Sequence, residues 1–301
     1  MTTQNKAART WLITGVSSGL GLAFARAALA AGHTVVGTVR NDDDRARFEG
    51  IQAGRAHAVV LDVSDFASIV PVVEHVQRQF GAIDVLVNNA GYGHEGTLEE
   101  SPLEDLRRQF DVNVFGAVAM IKAVLPQMRE RRSGHIVNIT SMAGLAALPG
   151  IAYYCGSKFA LEGISEALAQ EVAQFGIQVT ALAPGSFRTD WAGRSMVRAG
   201  RHIADYDALF EPIREARAAK SGRQAGDPES AAQILLDVVD AEKAPLHLVL
   251  GKDALHLVRK RITALGAELD HWEAVSRSSD YPSAERATKR PDTPPSPSAD
   301  Q

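Results

Sequence analysis

Apolar and polar positions alternate on two length scales along most of the chain. Short β-rich runs stand at residues 10–14, 34–39, 56–61, 83–87, 135–139, 177–182 and 246–250. Each is too short and too β-branched for a helix, and each is bounded by Gly, Pro, Asn or Asp. Between them lie longer Ala- and Leu-rich stretches of helical period, among them 19–31, 68–80, 103–131 and 154–175. Strands that alternate with helices predict parallel pairing, with the crossover helices covering both faces of the sheet. The expected fold is therefore α/β, a single doubly wound domain on a seven-stranded parallel sheet.

The pattern changes after the last strand. Leu255, Val258, Ile262, Leu265, Leu269 and Trp272 recur at alternating steps of three and four, which sets them on one helical stripe. The run is short for a coiled coil, so it reads as a helix docked on the core; the alternative is a helix that covers a subunit interface or the mouth of a pocket. From 276 onward the chain is rich in Pro, Ser and charge and nearly free of apolar residues, a composition that predicts disorder. The expected organisation is one catalytic domain over 1–275, with its core at 10–251 and a C-terminal helical extension at 252–275, followed by a disordered tail at 276–301.

Composition narrows the function classes. Of 301 residues, 45% are hydrophobic and 23% charged, and the formal net charge is −4. That balance gives no basic surface for nucleic acid or an anionic membrane. The lead at 1–10 lacks the apolar segment of a secretory signal, and no run approaches the roughly 18 apolar residues of a membrane span. The single cysteine, Cys155, forbids an intrachain disulfide and points to a reducing compartment. A cytoplasmic location is expected.

The first candidate chemistry follows the first strand: Thr14-Gly15-Val16-Ser17-Ser18-Gly19-Leu20-Gly21, then at once a helix. Glycines let a tight strand-to-helix turn bring backbone N–H groups against a pyrophosphate, and the helix N-terminus adds favourable potential for its charge. In Rossmann-type folds an acid about 20 positions on binds the ribose 2′-hydroxyl, whereas an arginine suits a 2′-phosphate. Arg40 closes the second strand here, and Asp42, Asp43 and Asp44 read as the first turn of the next helix. NADP(H) is thus favoured over NAD(H). Asp62 and Val63 close the third strand, and Asn89, Ala90 and Gly91 follow the fourth, at the strand ends where open α/β sheets bind ligands.

The second lies at the start of the helix after the fifth strand. Tyr154 and Lys158 are four apart and share a helix face. An ammonium about 4 Å from the phenol would favour tyrosinate by about 4 kcal/mol at an effective dielectric of ~20. Ser141 ends the fifth strand thirteen residues before Tyr154, where its hydroxyl can hydrogen-bond a substrate oxygen. Nine histidines without metal-ligand spacing predict no metal site.

The order TGxxxGxG, NNAG, Ser141 and YxxxK resembles the single-domain branch of the short-chain dehydrogenase/reductase family over about residues 10–251. The resemblance assigns catalysis to Ser141, Tyr154 and Lys158, and adds Asn113 as support for a water-linked proton relay. It assigns Gly15, Ser17, Ser18, Gly19, Leu20, Gly21, Arg40, Asp62, Val63, Asn89, Ala90, Gly91, Pro184, Gly185, Phe187 and Thr189 to the cofactor, together with Tyr154 and Lys158. Phe187 stands where the family more often has Val or Ile.

The implied enzyme moves a hydride between nicotinamide and a small apolar ketone or aldehyde, or the matching alcohol; oxidation of an alcohol and a non-catalytic NADP-binding regulator are the alternatives. Candidate substrate walls are Tyr92, Gly93 and His94, then Leu145, Ala146 and Leu148, and Trp191, Met196, Tyr206, Leu209 and Phe210 beyond the sixth strand. Together they suggest an apolar or aromatic carbonyl up to sterol or retinoid size, and the overall pattern, with the Thr38-Val39-Arg40-Asn41 turn and the added C-terminal helix, is similar to the hydroxysteroid/retinol-dehydrogenase-like part of the family. Apolar residues on a second face of the helices at 103–131 and 154–175 (Val118, Ile121, Val124; Phe159, Ile164, Leu168) predict a homodimer or homotetramer.

Overall fold

Alternation along the first strand sorts the core into two layers. Trp11 and Ile13 face one side of the sheet, where Phe24, Leu29, Leu235 and Val239 complete a fully apolar layer. Leu12 faces the other, with Val36, Leu86, Ile69, Val73, Met120 and Val124. Each such side chain removed from water stabilises the fold by about 1.5–3 kcal/mol.

The computed structural model describes residues 8–280. Its main sheet comprises β1 (Thr10–Ile13), β2 (Thr34–Val39), β3 (Ala56–Val60), β4 (Val85–Asn88), β6 (Gly134–Ile139), β7 (Ile177–Pro184) and β9 (His247–Leu250). These are the seven strands read from the sequence, and they pair in the order β3-β2-β1-β4-β6-β7-β9, all parallel. A second, two-stranded parallel sheet joins β5 (Gly93–Glu95) to β8 (Met196–Arg198); the sequence pattern did not foresee it. The chain leaves β1 toward β2 and β3 on one side and returns toward β4 on the other. That reversal opens a crevice at the carboxyl ends of β1 and β4.

On the first face of the sheet α1 (Gly19–Ala30) packs beside α8 (Pro228–Asp240), and on the second lie α3 (Phe66–Phe80) and α5 (Ala117–Arg131). As expected, Asp42, Asp43 and Asp44 form the first turn of α2 (Asp42–Glu49), which Asn41 caps by accepting from the Asp44 amide. The long apolar stretch is α4 (Leu103–Phe110), a π-helical turn (Asp111–Gly116) and α5 in succession. By length and composition alone this stretch could cross a membrane, against the expectation that no run comes near a span. Its Met120, Ile121, Val124 and Met128 are buried in the core.

Burial also corrects the second apolar faces. Ile121, Val124 and Leu168 belong to the chain's own core. On these stretches Leu103, Phe115 and Phe159 (α6, Ala152–Val172) are the large apolar residues that remain exposed.

After β7 the chain makes a short 3-10 turn at Asp190–Ala192 and later α7 (Asp207–Ala219). Charge fastens this segment: Arg198 and Arg217 both pair with buried Glu95, and Arg201 binds Glu100, Asp207 and Glu211.

Helix α9 (Lys252–Arg277) follows β9. Ala254 and Val258 are buried, but Ile262, Leu265, Leu269, Trp272 and Val275 are exposed. The chain divides into two compact units after Val258. Of the tail expected at 276–301, Ser276 and Arg277 complete α9, and 281–301 lies outside the described residues.

Candidate active site

The glycine loop is built by close approach. Gly15 (φ +73°) and Gly19 (φ +60°) occupy left-handed backbone that L side chains avoid. A Cβ on Gly21 would stand 2.2 Å from the Gly15 carbonyl oxygen and 2.4 Å from Asn89 Nδ2. Gly21 is therefore a packing glycine behind the loop, not part of the cleft wall. Asn89 is likewise occupied: its Nδ2 donates to the carbonyls of Thr14 (2.9 Å) and Gly15 (3.0 Å), and its own amide donates to Thr14 Oγ1. It locks the end of β4 to the loop while still bordering the cleft. Ser18 precedes α1 without capping it by its side chain, so the first-turn amides keep their hydrogen-bonding capacity for an anion.

A cleft of about 580 Å³ opens over this loop. Gly15, Ser17, Ser18, Gly19, Leu20, Arg40, Asp62, Val63, Asn89, Ala90, Gly91, Pro184, Gly185, Phe187 and Thr189 all line it, with Ser141, Tyr154 and Lys158 farther in. Except for Gly21, every residue that the sequence assigned to a cofactor meets in this one cleft. Exposed Arg40 makes no ion pair among the described residues: Asp42 pairs with Arg45 (2.9 Å) and Asp44 with Arg47. Asp62 is held below the usual carboxylate range chiefly by hydrogen bonds from Ser64, with a smaller contribution from Arg40. Glycines where the backbone must approach a ligand, free helix-end amides, serine hydroxyls and an unpaired guanidinium form a donor set suited to a phosphorylated dinucleotide.

Deeper in, Tyr154 and Lys158 share one face of α6, both buried. Lys158 Nζ donates to the Ile139 carbonyl at 2.8 Å and lies 5.8 Å from the Tyr154 ring centre. Burial pushes the phenol up to about 12, and the Ser141 hydroxyl beside it only partly opposes this. Desolvation, which the sequence-based figure for the ammonium left out, therefore dominates at Tyr154. Burial also brings Lys158 down to about 8, against the pull of Glu162. A neutral phenol paired with a serine hydroxyl can hold a carbonyl oxygen and donate a proton to it.

Asn113 sits in the π-helical turn, a distortion frequent at functional sites. Its Oδ1 accepts from the Tyr92 amide, and its Nδ2 donates to the Tyr92 carbonyl (3.0 Å) and Ser157 Oγ (3.1 Å). The side chain therefore tethers the strand-end loop to α6 and does not face the cleft. A Cβ on Gly91 would stand 3.0 Å from Asn113 Oδ1 and 3.6 Å from Lys158 Nζ, which places both groups beside one bare stretch of backbone.

Sequence reasoning missed Glu162, although it lies four residues beyond Lys158 on the same helix face. This buried carboxylate is raised chiefly by burial; it accepts from Thr140 Oγ1, and Oε2 meets His247 Nδ1 at 2.9 Å.

The substrate side is only partly as expected. Tyr92, Leu148 and Trp191 line the cleft, and Trp191 packs on Tyr154 with ring centres 5.1 Å apart. Gly93, His94, Leu145, Ala146, Met196, Tyr206, Leu209 and Phe210 do not line it. His94 and Met196 are buried in and around the small sheet, and Phe210 fills the space against Gly150. Their places are taken by Met142, Ile151, Val197, Arg194, Arg217 and Lys220. Arg194 donates to Ser18 Oγ at 2.5 Å, so the segment after β7 touches the glycine loop.

Cys155 is buried, accepts from the Leu148 amide at 3.4 Å, and is pushed up by burial. Both observations favour an inert thiol over a reactive one. Iodoacetamide at neutral pH is expected to leave activity unchanged over the time that modifies free cysteine; rapid loss of activity, prevented in Cys155→Ala, would reverse this reading.

Comparison with known proteins agrees with this geometry. The profile of the family described as "short chain dehydrogenase" matches residues 9–198. Oxidoreductase BOA17 of Botryotinia fuckeliana is 38% identical over 90% of this chain and 99% of its own length. A 3-ketodihydrosphingosine reductase of Bacteroides thetaiotaomicron is 43% identical over 59% of this chain and 64% of its own. An NADPH-dependent 3-dehydrocapnine reductase of Ornithobacterium rhinotracheale is 32% identical over 68% and 75%. Among solved structures, a short-chain dehydrogenase from Streptomyces avermitilis superposes with a TM-score of 0.86 at 41% identity, covering 93% of this chain and 100% of that one. A short-chain dehydrogenase/reductase from Burkholderia phymatum in complex with NAD gives 0.76 at 25% identity, covering 87% and 95%.

Proposed function

The chain belongs to the short-chain dehydrogenase family, and from that premise we propose that it is an NADPH-dependent reductase of apolar ketones or aldehydes. The observation that carries the reading is the buried Tyr154 phenol beside the Ser141 hydroxyl, lining the same cleft as the glycine-rich loop. A nicotinamide cofactor, when bound, supplies the hydride. Ser17, Ser18, Gly19 and Leu20 would hold its diphosphate region, Arg40 its 2′-phosphate, and Pro184, Gly185, Phe187 and Thr189 the nicotinamide end.

The chain's own groups manage the proton. Ser141 and Tyr154 hold the carbonyl oxygen; Tyr154 gives its proton as negative charge develops there; Lys158 stabilises the resulting phenolate and passes on a replacement proton. Asn113 positions the loop carrying Tyr92 and the π-helical turn beside Lys158. Trp191, Leu148, Ile151 and Tyr92 exclude water from the reacting carbon and favour an apolar substrate. The NADPH-dependent relative supports the cofactor preference. The lone buried cysteine supports a reducing, cytoplasmic setting, and exposed Phe115, in the π-helical turn before α5, and Phe159 on α6 support a homodimer or homotetramer through these two helical stretches.

The direct test is NADPH and NADH consumption against a panel of apolar aldehydes, ketones and quinones. Oxidation of NADPH by at least one member is expected; inactivity across the panel with both cofactors, in protein that binds NADPH, would sink the reading. The proton chemistry gives a second expectation. Lys158 is charged below about pH 8 and neutral above it, so the reduction rate should be level below that pH and fall above it. Glu162→Gln removes the anion that holds Lys158 up and should move the falling limb to lower pH. A limb unmoved by this change would show that it does not belong to Lys158.

A further inference from the structure

The cleft holds more positive charge than its cofactor and catalytic residues account for. Arg40 and Asp62 belong with the cofactor residues, and Lys158 with Tyr154. The other charged residues that line it among the described residues are Asp190, Arg194, Arg217 and Lys220, all from the segment after β7. Arg194 turns to the glycine loop, where it donates to Ser18 Oγ, and Asp190, four residues before it, carries the opposite charge. Arg217 and Lys220 remain.

These two stand at the end of α7, three residues apart, a spacing that sets them on one helix face. The contacts of Arg217 put it beside the substrate wall. It pairs with Glu95 of β5, and the next residue, Gly96, bridges to Ile151 in the cleft. Its charge also reaches the thiol of Cys155, the neighbour of Tyr154. Glu95 takes one guanidinium N–H and so orients the group, and no other described residue takes the remaining N–H donors. Lys220 is exposed and has no ion-pair partner among the described residues.

With Glu95 against Arg217, the uncompensated charge is that of Lys220, a match for one negative charge. Arg217 adds oriented N–H donors of the kind that hold carboxylate oxygens. Leu148, Ile151 and Trp191 line the same cleft, and Trp191 packs on Tyr154. A ligand that satisfies all of these groups has a carbonyl at Ser141 and Tyr154, an apolar middle, and a single anion beyond it.

We propose that Lys220 and Arg217 form a carboxylate-binding site in the cleft, so that the substrate is a carbonyl compound carrying a carboxylate beyond an apolar spacer. The substrate class rests on the reductase reading above, and the hydride and proton transfers stay those already given.

Binding is read first, without turnover. The full chain saturated with NADPH is titrated by calorimetry with octanoate and, as the uncharged match, octanol. Octanoate should bind about tenfold more tightly, the low end of what hydrogen bonds to a charged group contribute. Lys220→Glu should abolish that advantage and keep the melting temperature, since the side chain is exposed. Arg217 is left in place because it also holds Glu95. A lysine that serves only the end of its helix would leave the octanoate Kd where it was. Equal binding of the two ligands, an advantage that survives Lys220→Glu, or release of NADPH by octanoate overturns the proposal; the last would put the carboxylate at the glycine loop. In turnover, ω-oxo-octanoate should show a lower KM than its methyl ester, and no such advantage in Lys220→Glu. The titration needs no reaction, so the two readings fail separately. Octanoate held through Lys220 in a chain that reduces nothing would sink the reductase reading and leave the carboxylate site standing. An active carbonyl panel with no preference for octanoate would do the reverse.

Discussion

Tyr154→Phe is expected to lower kcat for carbonyl reduction by about 10²–10⁴-fold, the usual worth of a positioned proton donor, with little change in the Kd for NADPH. The substitution deletes one oxygen and little else. The ring keeps its contact with Trp191, and the hydroxyl's neighbour Ser141 still caps its own turn by accepting from the Ala143 amide at 3.1 Å. Folding should therefore survive, and a melting curve can verify it. The cofactor-side residues are untouched, so quenching of nicotinamide fluorescence should give the wild-type Kd. The loss should fall on kcat and kcat/KM alike, the mark of an interaction made in the transition state. Retention of more than a tenth of kcat would remove Tyr154 from its proposed role.

This expectation shows how far the residues alone could be read. The shared helix face of Tyr154 and Lys158 follows from four-residue spacing, and their meeting with Ser141 follows from strand order; both were legible. The sign of the phenol's shift was not, because it depends on how deeply the pair is buried and on Lys158 turning to the Ile139 carbonyl. Charge spacing along a helix cannot weigh desolvation.

A similar limit governed the substrate wall. Met196 and Phe210 look like pocket residues in a loop of unknown course, yet the unforeseen pairing of β5 with β8 buries the first and Gly150 receives the second. Arg217 and Lys220 reach the cleft only because α7 is fastened through Glu95, a contact between residues 122 apart in sequence. In α9, the repeat announced a helix and a face, but period alone does not say whether that face meets the protein's own core. The central sheet was the most legible part, since strand period and helix period there point to one arrangement.

Arg40 gives the other large effect. An NADP 2′-phosphate in the cleft would receive a charge-assisted, bidentate contact from its guanidinium, one that NAD cannot accept. Hydrogen bonds to charged groups are worth about 1.5–3 kcal/mol, or roughly ten- to a hundredfold in affinity. Arg40→Ala should therefore weaken NADPH by that factor, read as Kd by fluorescence and as KM, while NADH stays nearly where it was. Arg40→Asp should go further, since a carboxylate there repels the phosphate and can accept from a free 2′-hydroxyl, and the preference should invert. Turnover at saturating cofactor should hold in both variants, because Ser141, Tyr154 and Lys158 are distant in the cleft from the change. The competing account makes Arg40 a solvated surface cation paired with the acids that follow it, a contact worth little. Of those acids, Asp42 is engaged by Arg45, and among the described residues no ion pair joins Arg40 to Asp43. Arg40 instead borders the cleft beside Asp62, whose carboxyl it helps to hold ionised. The measurement that decides is the NADPH/NADH ratio of kcat/KM across wild type, Arg40→Ala and Arg40→Asp. A ratio that stays flat through the series would withdraw the preference for NADP and leave the reductase reading to stand on the proton chemistry alone.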